Sequence, residues 1–212
     1  MPCPWTPPAI SVAALDAGIA PLVRVPGFEH HHAAGALDAG ALGVVIPHVD
    51  TAEVARQMVR NCRYPPEGER SIAGAPPQLG YRALPAAEAT AALNAATLVV
   101  LMLETPAAID NVEQIAAVPG VDVLHVGTND LCLAMGIPGQ LEHPRLGEAF
   151  ARVVAAARRH GVQVGIGGVY DPALLARYIE LGARFVTAGS DLGLLLGAAR
   201  ERTATVRGML AS

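Results

Sequence analysis

Lysine is absent from the sequence, and all 15 basic residues are arginines. Chemistry that runs through a lysine imine is therefore excluded, apart from a role for the terminal amine. A Walker-type phosphate loop is excluded as well, because that loop needs its lysine. Carbonyl chemistry in this chain has to rely on a metal ion or on a hydrogen-bonding electrophile.

Charge and cysteine are also scarce. Charged residues make up 16% of the 212 residues and hydrophobic residues 52%, which excludes a disordered chain and predicts one domain over residues 1–212. The net charge of −4 is spread without runs of one sign, which argues against a nucleic-acid partner. Cys3, Cys62 and Cys132 have no paired spacing, so neither a disulfide framework nor a zinc ribbon is indicated.

Signals of export and of membrane insertion are missing too. No apolar stretch reaches about 18 residues without a polar residue, Pro or Gly, so we expect no transmembrane span. The opening residues hold several prolines and no basic region, which is unlike a signal peptide. We therefore expect a cytoplasmic protein without a membrane partner.

Short apolar runs alternate with helical stretches along almost the whole chain. Runs that are apolar on both faces are typical of parallel strands covered by helices. The predicted strands are residues 21–25, 43–49, 98–103, 121–126, 162–166 and 184–188. Helix starts are indicated at Thr51, Thr105-Pro106 and Asp171-Pro172. The spacing of Ile109, Val112 and Ile115 predicts a helix. Residues 64–85 are rich in Pro and Gly, and this composition predicts a long functional loop.

Repeated strand–helix units predict a parallel α/β fold. No Gly-rich dinucleotide fingerprint follows the first strand, which weakens the interpretation as a doubly wound sheet. Polar residues at the carboxyl ends of several strands favour a barrel instead. A closed barrel of this class has eight strands and six are visible here, so we expect a TIM-type barrel that lacks its first two βα units.

The ends of the predicted strands supply Arg24, His48, Glu104 and Asp130. Glu104 and Asp130 end consecutive strands, and the pair suits a hard divalent ion such as Mg²⁺ or Mn²⁺. The alternative is that each carboxylate caps the helix that follows it. Arg24 suits a carboxylate or a developing enolate oxygen, or else it is the ion-pair partner of a neighbouring strand end. His48 is a candidate acid or base, or else a structural histidine.

Two further sets of polar residues have plain structural interpretations. Residues 30–32 are consecutive histidines, and because three adjacent helical side chains cannot share one ion, they indicate a solvated helix entry rather than a metal site. Asp38 falls in a helical segment, and the plain interpretation is that it is a surface charge near the end of that helix.

The segments around these residues resemble the HpcH/HpaI family of class II, metal-dependent pyruvate aldolases, which includes 4-hydroxy-2-oxoheptanedioate and 2-dehydro-3-deoxyglucarate aldolases. The matching pieces are LVRVPG, LDAGALGVVIPHVDTAEVA, RYPPEGERS, LMLETPAAIDNVEQIAAVPGVDVLHVGTNDL and RYIELGARFVTAGSDLGLL. Their order and spacing fit from about residue 21 to residue 200.

The resemblance implies a (β/α)₈ barrel of the phosphoenolpyruvate/pyruvate kind, commonly a hexamer with helices exchanged between protomers. It implies that Glu104 and Asp130 bind a divalent cation, Mg²⁺ or Mn²⁺, with Co²⁺ also allowed. Arg24 corresponds to the arginine that stabilises the pyruvate enolate, and Asp38 to the aspartate that tunes the catalytic histidine.

The resemblance also assigns residues to the substrate. Gly127, Thr128 and Asn129 correspond to the backbone around the second metal ligand, which binds the 2-oxo acid. Met102 stands where the family usually has a glutamine that helps to hold the keto acid, and methionine cannot donate a hydrogen bond.

Two more positions depart from the family pattern. Arg70 is followed by Ser71 where the family usually has glycine. Met1 and Pro2 stand where the family has the Glu-His of its general-base motif, and His48 is the candidate to replace that base.

The predicted activity is metal-dependent cleavage of a 4-hydroxy-2-oxo acid to pyruvate and an aldehyde through a metal-stabilised enolate. One alternative is another carbon–carbon lyase or condensing activity on the same enolate, such as oxaloacetate decarboxylation or citrate formation. A second alternative is a truncated, non-catalytic protein that binds keto acids.

Overall fold

A computed structural model describes residues 7–72 and 74–210 of the chain. The predictions for Met1, Pro2 and Cys3 fall outside these residues. Cys62 and Cys132 are both buried and not disulfide-bonded.

The described residues form one sheet of six parallel strands, and each strand lies within or overlaps one predicted run. The strands are β1 (Leu22–Arg24), β2 (Gly43–Ile46), β3 (Leu98–Leu103), β4 (Val123–Gly127), β5 (Gln163–Gly167) and β6 (Ala183–Val186).

The spatial order of the strands is the same as their order in the chain. A doubly wound sheet would reverse direction at a switch point, whereas a barrel adds each strand beside the last. The sheet curls into a half-barrel. The described residues therefore supply six barrel-type units, with β1 and β6 at the edges, and they do not close an eight-stranded barrel.

Helices connect the strands and cover one face of the sheet, and one further helix precedes the first strand while another follows the last. They are α1 (Pro7–Asp16), α2 (His30–Asp38), α3 (Ala52–Cys62), α4 (Ala86–Ala96), α5 (Pro106–Asp110), α6 (Val112–Ala116), α7 (Thr128–Ala134), α8 (Pro144–His160), α9 (Pro172–Leu181) and α10 (Asp191–Leu210). A short 3₁₀ helix, Pro77–Leu79, lies in the long loop. None of the helices in the described ranges is long and apolar enough to cross a bilayer.

The predicted helix starts are confirmed. The side chains of Thr51, Thr105 and Asp171 each accept a hydrogen bond from the backbone N–H three residues later, and so cap α3, α5 and α9. The single helix predicted from Ile109 to Ile115 is wrong in one respect. It is two short helices interrupted at Asn111, whose side-chain amide donates to the Asp50 carbonyl at 2.8 Å.

The two faces of the strands have different surroundings. Leu101, Leu103, Leu124 and Val126 point towards the helices and belong to the main hydrophobic core. The alternate residues of β3, β4 and β5 lie on the opposite, concave side, which we call the inner face. It includes Met102, His125, Gly127, Gly165 and Gly167.

The long loop that follows α3 is held by buried polar contacts. The Asn94 side chain on α4 accepts from the Tyr64 N–H at 2.8 Å and donates to the Tyr64 carbonyl at 3.1 Å. Arg63 forms an ion pair with Asp122 at 2.9 Å, just before β4, and donates to the Asn94 carbonyl. These contacts fix the loop to the amino-terminal end of the sheet.

Candidate active site

A cavity of about 160 Å³ opens where β3, β4, β5 and β6 end. In a parallel α/β barrel this end of the strands is where active sites form. The cavity brings together six of the residues that the sequence predicted for substrate or metal binding: Met102, Glu104, Gly127, Thr128, Asn129 and Asp130. It also contains His125, Gly167, Tyr170 and Thr187, which the sequence analysis did not single out.

Glu104 is the buried carboxylate of this cavity. It follows β3 directly and is 1% exposed. Its Oε2 accepts the backbone N–H of His48 at 2.9 Å, and the His48 Nδ1 lies 3.2 Å from the same oxygen. Gly127 on the next strand leaves room for this side chain, because a Cβ there would lie 2.8 Å from Glu104 Oε1.

His48 lies in a constrained segment between β2 and α3. Its φ is 53°, in the left-handed region that residues other than glycine seldom occupy. The segment is tied to β3, because the Val49 N–H donates to the Met102 carbonyl at 3.1 Å and Thr105 Oγ1 donates to Asp50 Oδ1 at 2.6 Å. These bonds place the backbone N–H of His48 against the Glu104 carboxylate.

Asp130 reaches the cavity from the first turn of α7. The helix begins at Thr128, whose buried hydroxyl donates to the Gly167 carbonyl at 2.8 Å and so ties α7 to β5. Asp130 and Asn129 are exposed at the mouth of the cavity. The alternative roles as helix caps are not borne out, because Thr105 caps α5 and Gly127 occupies the N-cap position of α7.

The carboxylate pair fits a divalent cation that keeps several waters. Within the described ranges, Glu104 contacts the His48 imidazole but forms no ion pair with an arginine, and a buried carboxylate that no arginine neutralises is suited to a metal. No group of three His, Cys, Asp or Glu side chains suited to a metal occurs among the described residues. Two carboxylates completed by water and substrate oxygens are a donor set typical of Mg²⁺ and Mn²⁺, not of a closed zinc site.

Arg24 and Asp38 lie away from the Glu104 cavity. Arg24 is exposed at the end of β1 and lines another cavity, of about 310 Å³, together with His31 and His32. Asp38 ends α2, and its Oδ1 accepts from the Arg70 guanidinium at 2.7 Å. The buried Arg70 also lies 4.5 Å over the Tyr64 ring, so Asp38 is the outer partner of a loop-anchoring arginine.

The histidine triplet, residues 30–32, lies where the sequence predicted, at the start of α2. The His30 Nδ1 is 3.0 Å from the Asn61 side-chain oxygen, and the His31 and His32 rings are 4.3 Å apart. The structure therefore places the triplet at a helix entry.

His125 is the site residue that sequence reasoning missed. It lies on the inner face of β4, is 3% exposed, and burial lowers its pKa from 6.5 to about 4. Its Nε2 lies 3.5 Å from Thr187 Oγ1, and its ring meets that of Phe185 edge to face at 5.4 Å. The available signal was a polar residue within the apolar run VDVLHV, two positions before Gly127.

Parallel barrel units with polar residues gathered at the carboxyl ends of the strands are the architecture of barrel enzymes. A family model described as HpcH/HpaI aldolase/citrate lyase matches residues 9–198, and the chain belongs to this family. The family predicted from the sequence motifs is therefore confirmed.

Relatives and solved structures agree with this assignment. A 4-hydroxy-4-methyl-2-oxoglutarate aldolase of Chaetomium globosum is 41% identical over 206 residues, which covers 93% of this chain and 75% of the relative. A 5-keto-4-deoxy-D-glucarate aldolase of Klebsiella pneumoniae is 38% identical over 182 residues, covering 86% and 70%. The crystal structure of an HpcH/HpaI aldolase from Desulfitobacterium hafniense superposes with a TM-score of 0.89 at 32% identity, covering 97% of this chain and 80% of that one. The predicted enzyme class, a carbon–carbon lyase, is confirmed with the family.

Proposed function

We propose that the chain cleaves a 4-hydroxy-2-oxo acid to pyruvate and an aldehyde in the Glu104 cavity. The observation that carries the proposal is the buried Glu104 carboxylate, which shares a cavity with Asp130 and has no arginine partner among the described residues. Membership of an aldolase family supports the same reaction class. The aldolase relatives favour aldol cleavage over decarboxylation or citrate formation.

Glu104 and Asp130 are the proposed cation ligands, with Mg²⁺ or Mn²⁺ preferred and Co²⁺ accepted. A divalent cation held there would supply Lewis-acid polarisation of the substrate's keto and carboxylate oxygens. The backbone of Gly127, Thr128 and Asn129 lines the same cavity and is proposed to bind the substrate carboxylate. The Thr128–Gly167 hydrogen bond fixes that segment against β5.

Arg24, His48 and Asp38 keep proposed roles around this centre. Arg24 forms no ion pair within the described part of the chain, which favours a role in binding enolate charge over a role as a structural ion-pair partner. The His48 imidazole is more than half exposed beside Glu104, where it can exchange protons with substrate. Asp38 is proposed to tune the catalytic histidine, the role that the resemblance implies, and its carboxylate also pairs with Arg70.

The substrate class follows from the size and polarity of the cavity. At about 160 Å³ the cavity holds a small acid, and its mouth is lined by the polar side chains of Asn129, Asp130 and Tyr170. The two aldolase relatives are named for oxygen-rich keto acids, 4-hydroxy-4-methyl-2-oxoglutarate and 5-keto-4-deoxy-D-glucarate. We therefore propose a 2-oxo acid with a hydroxyl group at C4.

A homo-oligomer, by resemblance a hexamer, is also proposed. All residues from 187 to 210 are exposed, including Leu192, Leu194 and Leu195 on α10. An apolar helix of this kind is covered in a stable assembly, and a second copy of the chain is the proposed cover. The finer fold prediction, a TIM-type barrel of the phosphoenolpyruvate/pyruvate kind that lacks its first two βα units, likewise stays a proposal.

The test follows pyruvate methyl proton–deuterium exchange by NMR and cleavage of 4-hydroxy-4-methyl-2-oxoglutarate by pyruvate release. We expect both reactions with Mn²⁺ or Mg²⁺ and neither with EDTA. Glu104→Gln and Asp130→Asn should each lower the rate at least about a hundredfold. Asp110→Asn is the matched control, because Asp110 is an exposed carboxylate that contacts Arg152.

Two results would contradict the proposal. Exchange that survives EDTA and Glu104→Gln would place the chemistry elsewhere. Binding of pyruvate with metal but without exchange or cleavage would support the alternative of a non-catalytic keto-acid-binding protein.

A further inference from the structure

We infer that His125 donates a hydrogen bond from Nε2 to the 2-oxo acid bound in the Glu104 cavity, and so serves as a substrate-positioning residue. The inference rests on the proposed function and adds a residue to the substrate-binding set. It is carried by the register of β3 and β4, by two glycines of β5 and by the surroundings of the two ring nitrogens.

The register places His125 directly beside Met102. The two residues are Cα partners across the β3–β4 pair, both on the inner face, and both line the cavity. Met102 carries only a thioether, which cannot donate a hydrogen bond. His125 is therefore the neighbouring side chain that brings an N–H group to this depth of the cavity.

Two glycines on β5 make room for the imidazole. A Cβ at Gly165 would lie 2.5 Å from His125 Nδ1, and a Cβ at Gly167 would lie 2.7 Å from Nε2. The ring therefore packs against bare backbone, with the Phe185 ring 5.4 Å away on the side of β6. This packing fixes the direction of both nitrogens before a ligand arrives.

The two nitrogens have different surroundings. Nδ1 is fully buried, has no hydrogen-bond partner among the described residues, and lies over Gly165, which does not line the cavity. Nε2 lies beside Gly167 and 3.5 Å from Thr187 Oγ1, and both of these residues line the cavity.

The position of the ring proton follows from this asymmetry. A neutral imidazole carries one N–H. Nδ1 has no partner in either tautomer, but a buried N–H without an acceptor is rarer in proteins than a buried acceptor without a donor, so the proton is placed on Nε2. A proton on Nε2 points the donor at the cavity, where a carboxylate or keto oxygen of the substrate can accept it.

The experiment measures oxalate binding by calorimetry in the presence of Mn²⁺, and Mn²⁺ binding alone, for the full chain. Oxalate presents the two adjacent oxygen-bearing carbons of a 2-oxo acid enolate. The variants are His125→Phe, which keeps an aromatic ring against Phe185, and His125→Gln, which keeps a donor. The double variant Met102→Gln/His125→Phe returns a donor from the neighbouring strand.

We expect His125→Phe to weaken oxalate binding about tenfold or more, because a hydrogen bond to a charged ligand is lost, while Mn²⁺ affinity changes less than about twofold. His125→Gln and the double variant should recover much of the oxalate affinity. Recovery by a donor on the neighbouring strand would not follow from a purely structural role for His125.

Three outcomes would overturn the inference. Oxalate affinity in His125→Phe equal to that of the wild type would show that the donor is not used, and would leave the proposed function intact. Parallel loss of Mn²⁺ and oxalate binding without recovery in either donor variant would show a structural role instead. Absence of Mn²⁺-dependent oxalate binding in the wild-type chain would refute the proposed function and this inference with it.

Discussion

At the scale of single residues, the site depends on where the buried Glu104 carboxylate is allowed to lie. Gly127 determines that position, since a Cβ there would come within 2.8 Å of both Cγ and Oε1 of Glu104. Its φ of −85° is ordinary for any residue, so the reason for glycine here is the close approach of the carboxylate. Glycine at 127 is thus a steric requirement of the proposed cation site.

Gly127→Ala should therefore displace Glu104 and weaken Mn²⁺ binding about tenfold, the size of effect typical of residues that orient metal ligands. Calorimetry or electron paramagnetic resonance of Mn²⁺ would measure it. Gly147→Ala is the matched control, because Gly147 lies in α8 and a Cβ there meets no atom within 4 Å. Equal Mn²⁺ affinity in the Gly127→Ala variant would contradict the assignment of Glu104 as a ligand.

A second prediction concerns the buried His125 and the dependence of the free energy of unfolding on pH. Burial lowers its pKa to about 4 in the folded chain, whereas the ordinary value is 6.5. Between these values the unfolded chain takes up a proton that the folded chain does not, so the folded state loses stability as the pH falls from 6.5 towards 4.

Denaturant unfolding at pH 7 and pH 4.5 would measure this effect. His125→Phe cannot titrate at this position, so the wild-type chain should lose about 2 kcal/mol more stability than the variant over that interval. Comparing the two chains removes the contribution of the carboxylates, which titrate in both. Equal losses would contradict a depressed pKa for His125.

At the scale of elements, the buried Asn94 side chain is one of the anchors of the long loop after α3. Asn94 satisfies both the N–H and the carbonyl of Tyr64, and all these groups are buried. The anchor holds the segment that leads to Arg70 and its ion pair with Asp38. The loop is therefore fixed by tertiary hydrogen bonds and not by secondary structure of its own.

Asn94→Ala leaves the buried Tyr64 N–H unpaired, while the Tyr64 carbonyl keeps the N–H groups of Glu67 and Gly68 as donors, and should lower the free energy of unfolding by about 1–3 kcal/mol. Thr90→Ala is the control on the same helix, because the exposed Thr90 hydroxyl only bonds to carbonyls of its own helix. Its effect should stay within about 0.5 kcal/mol. Denaturant unfolding would measure both, and equal effects would show that the loop contributes its own stability.

The elements were predictable where their causes are local in sequence. Apolar runs located all six strands, and the capping residues Thr51, Thr105 and Asp171 located helix starts. The break between α5 and α6 was not predictable from the spacing of Ile109 and Ile115. Its cause is a bond from Asn111 to the Asp50 carbonyl, 61 residues away in the chain.

The candidate site was predictable to the same extent. Glu104 follows β3 directly and Asp130 lies in the first turn of the helix that follows β4, so strand order brought them to one cavity. His125 was missed because its setting is made by Gly165 and Gly167 on another strand, and sequence spacing does not show such contacts. Nothing in the sequence around Arg24 and Asp38 indicates how far these residues lie from Glu104. The structure places both of them outside the Glu104 cavity.

At the scale of the whole molecule, α10 and the two sheet edges are the exposed surfaces best suited to contact another copy of the chain. Leu194 is 73% exposed and Leu195 68%, on a 20-residue helix with no buried residue. The β1 and β6 strands leave backbone groups unpaired at the sheet edges within the described ranges. Exposed apolar helices and open edges together favour assembly of several copies.

The wild-type chain should accordingly elute as an oligomer when its mass is measured by light scattering after size exclusion. Leu194→Glu combined with Leu195→Glu places two carboxylates in the proposed interface, where burying unpaired charge is costly, and should shift the mass towards the monomer. Ile72→Glu is the control, since Ile72 is 57% exposed in the long loop and lies outside α10. A monomeric wild-type chain, or an oligomer that tolerates both glutamates, would contradict a role for α10 in assembly. Oxalate binding measured on the dissociated variant would then show whether the Glu104 cavity, built wholly from β3 to β6 of one chain, works without its neighbours.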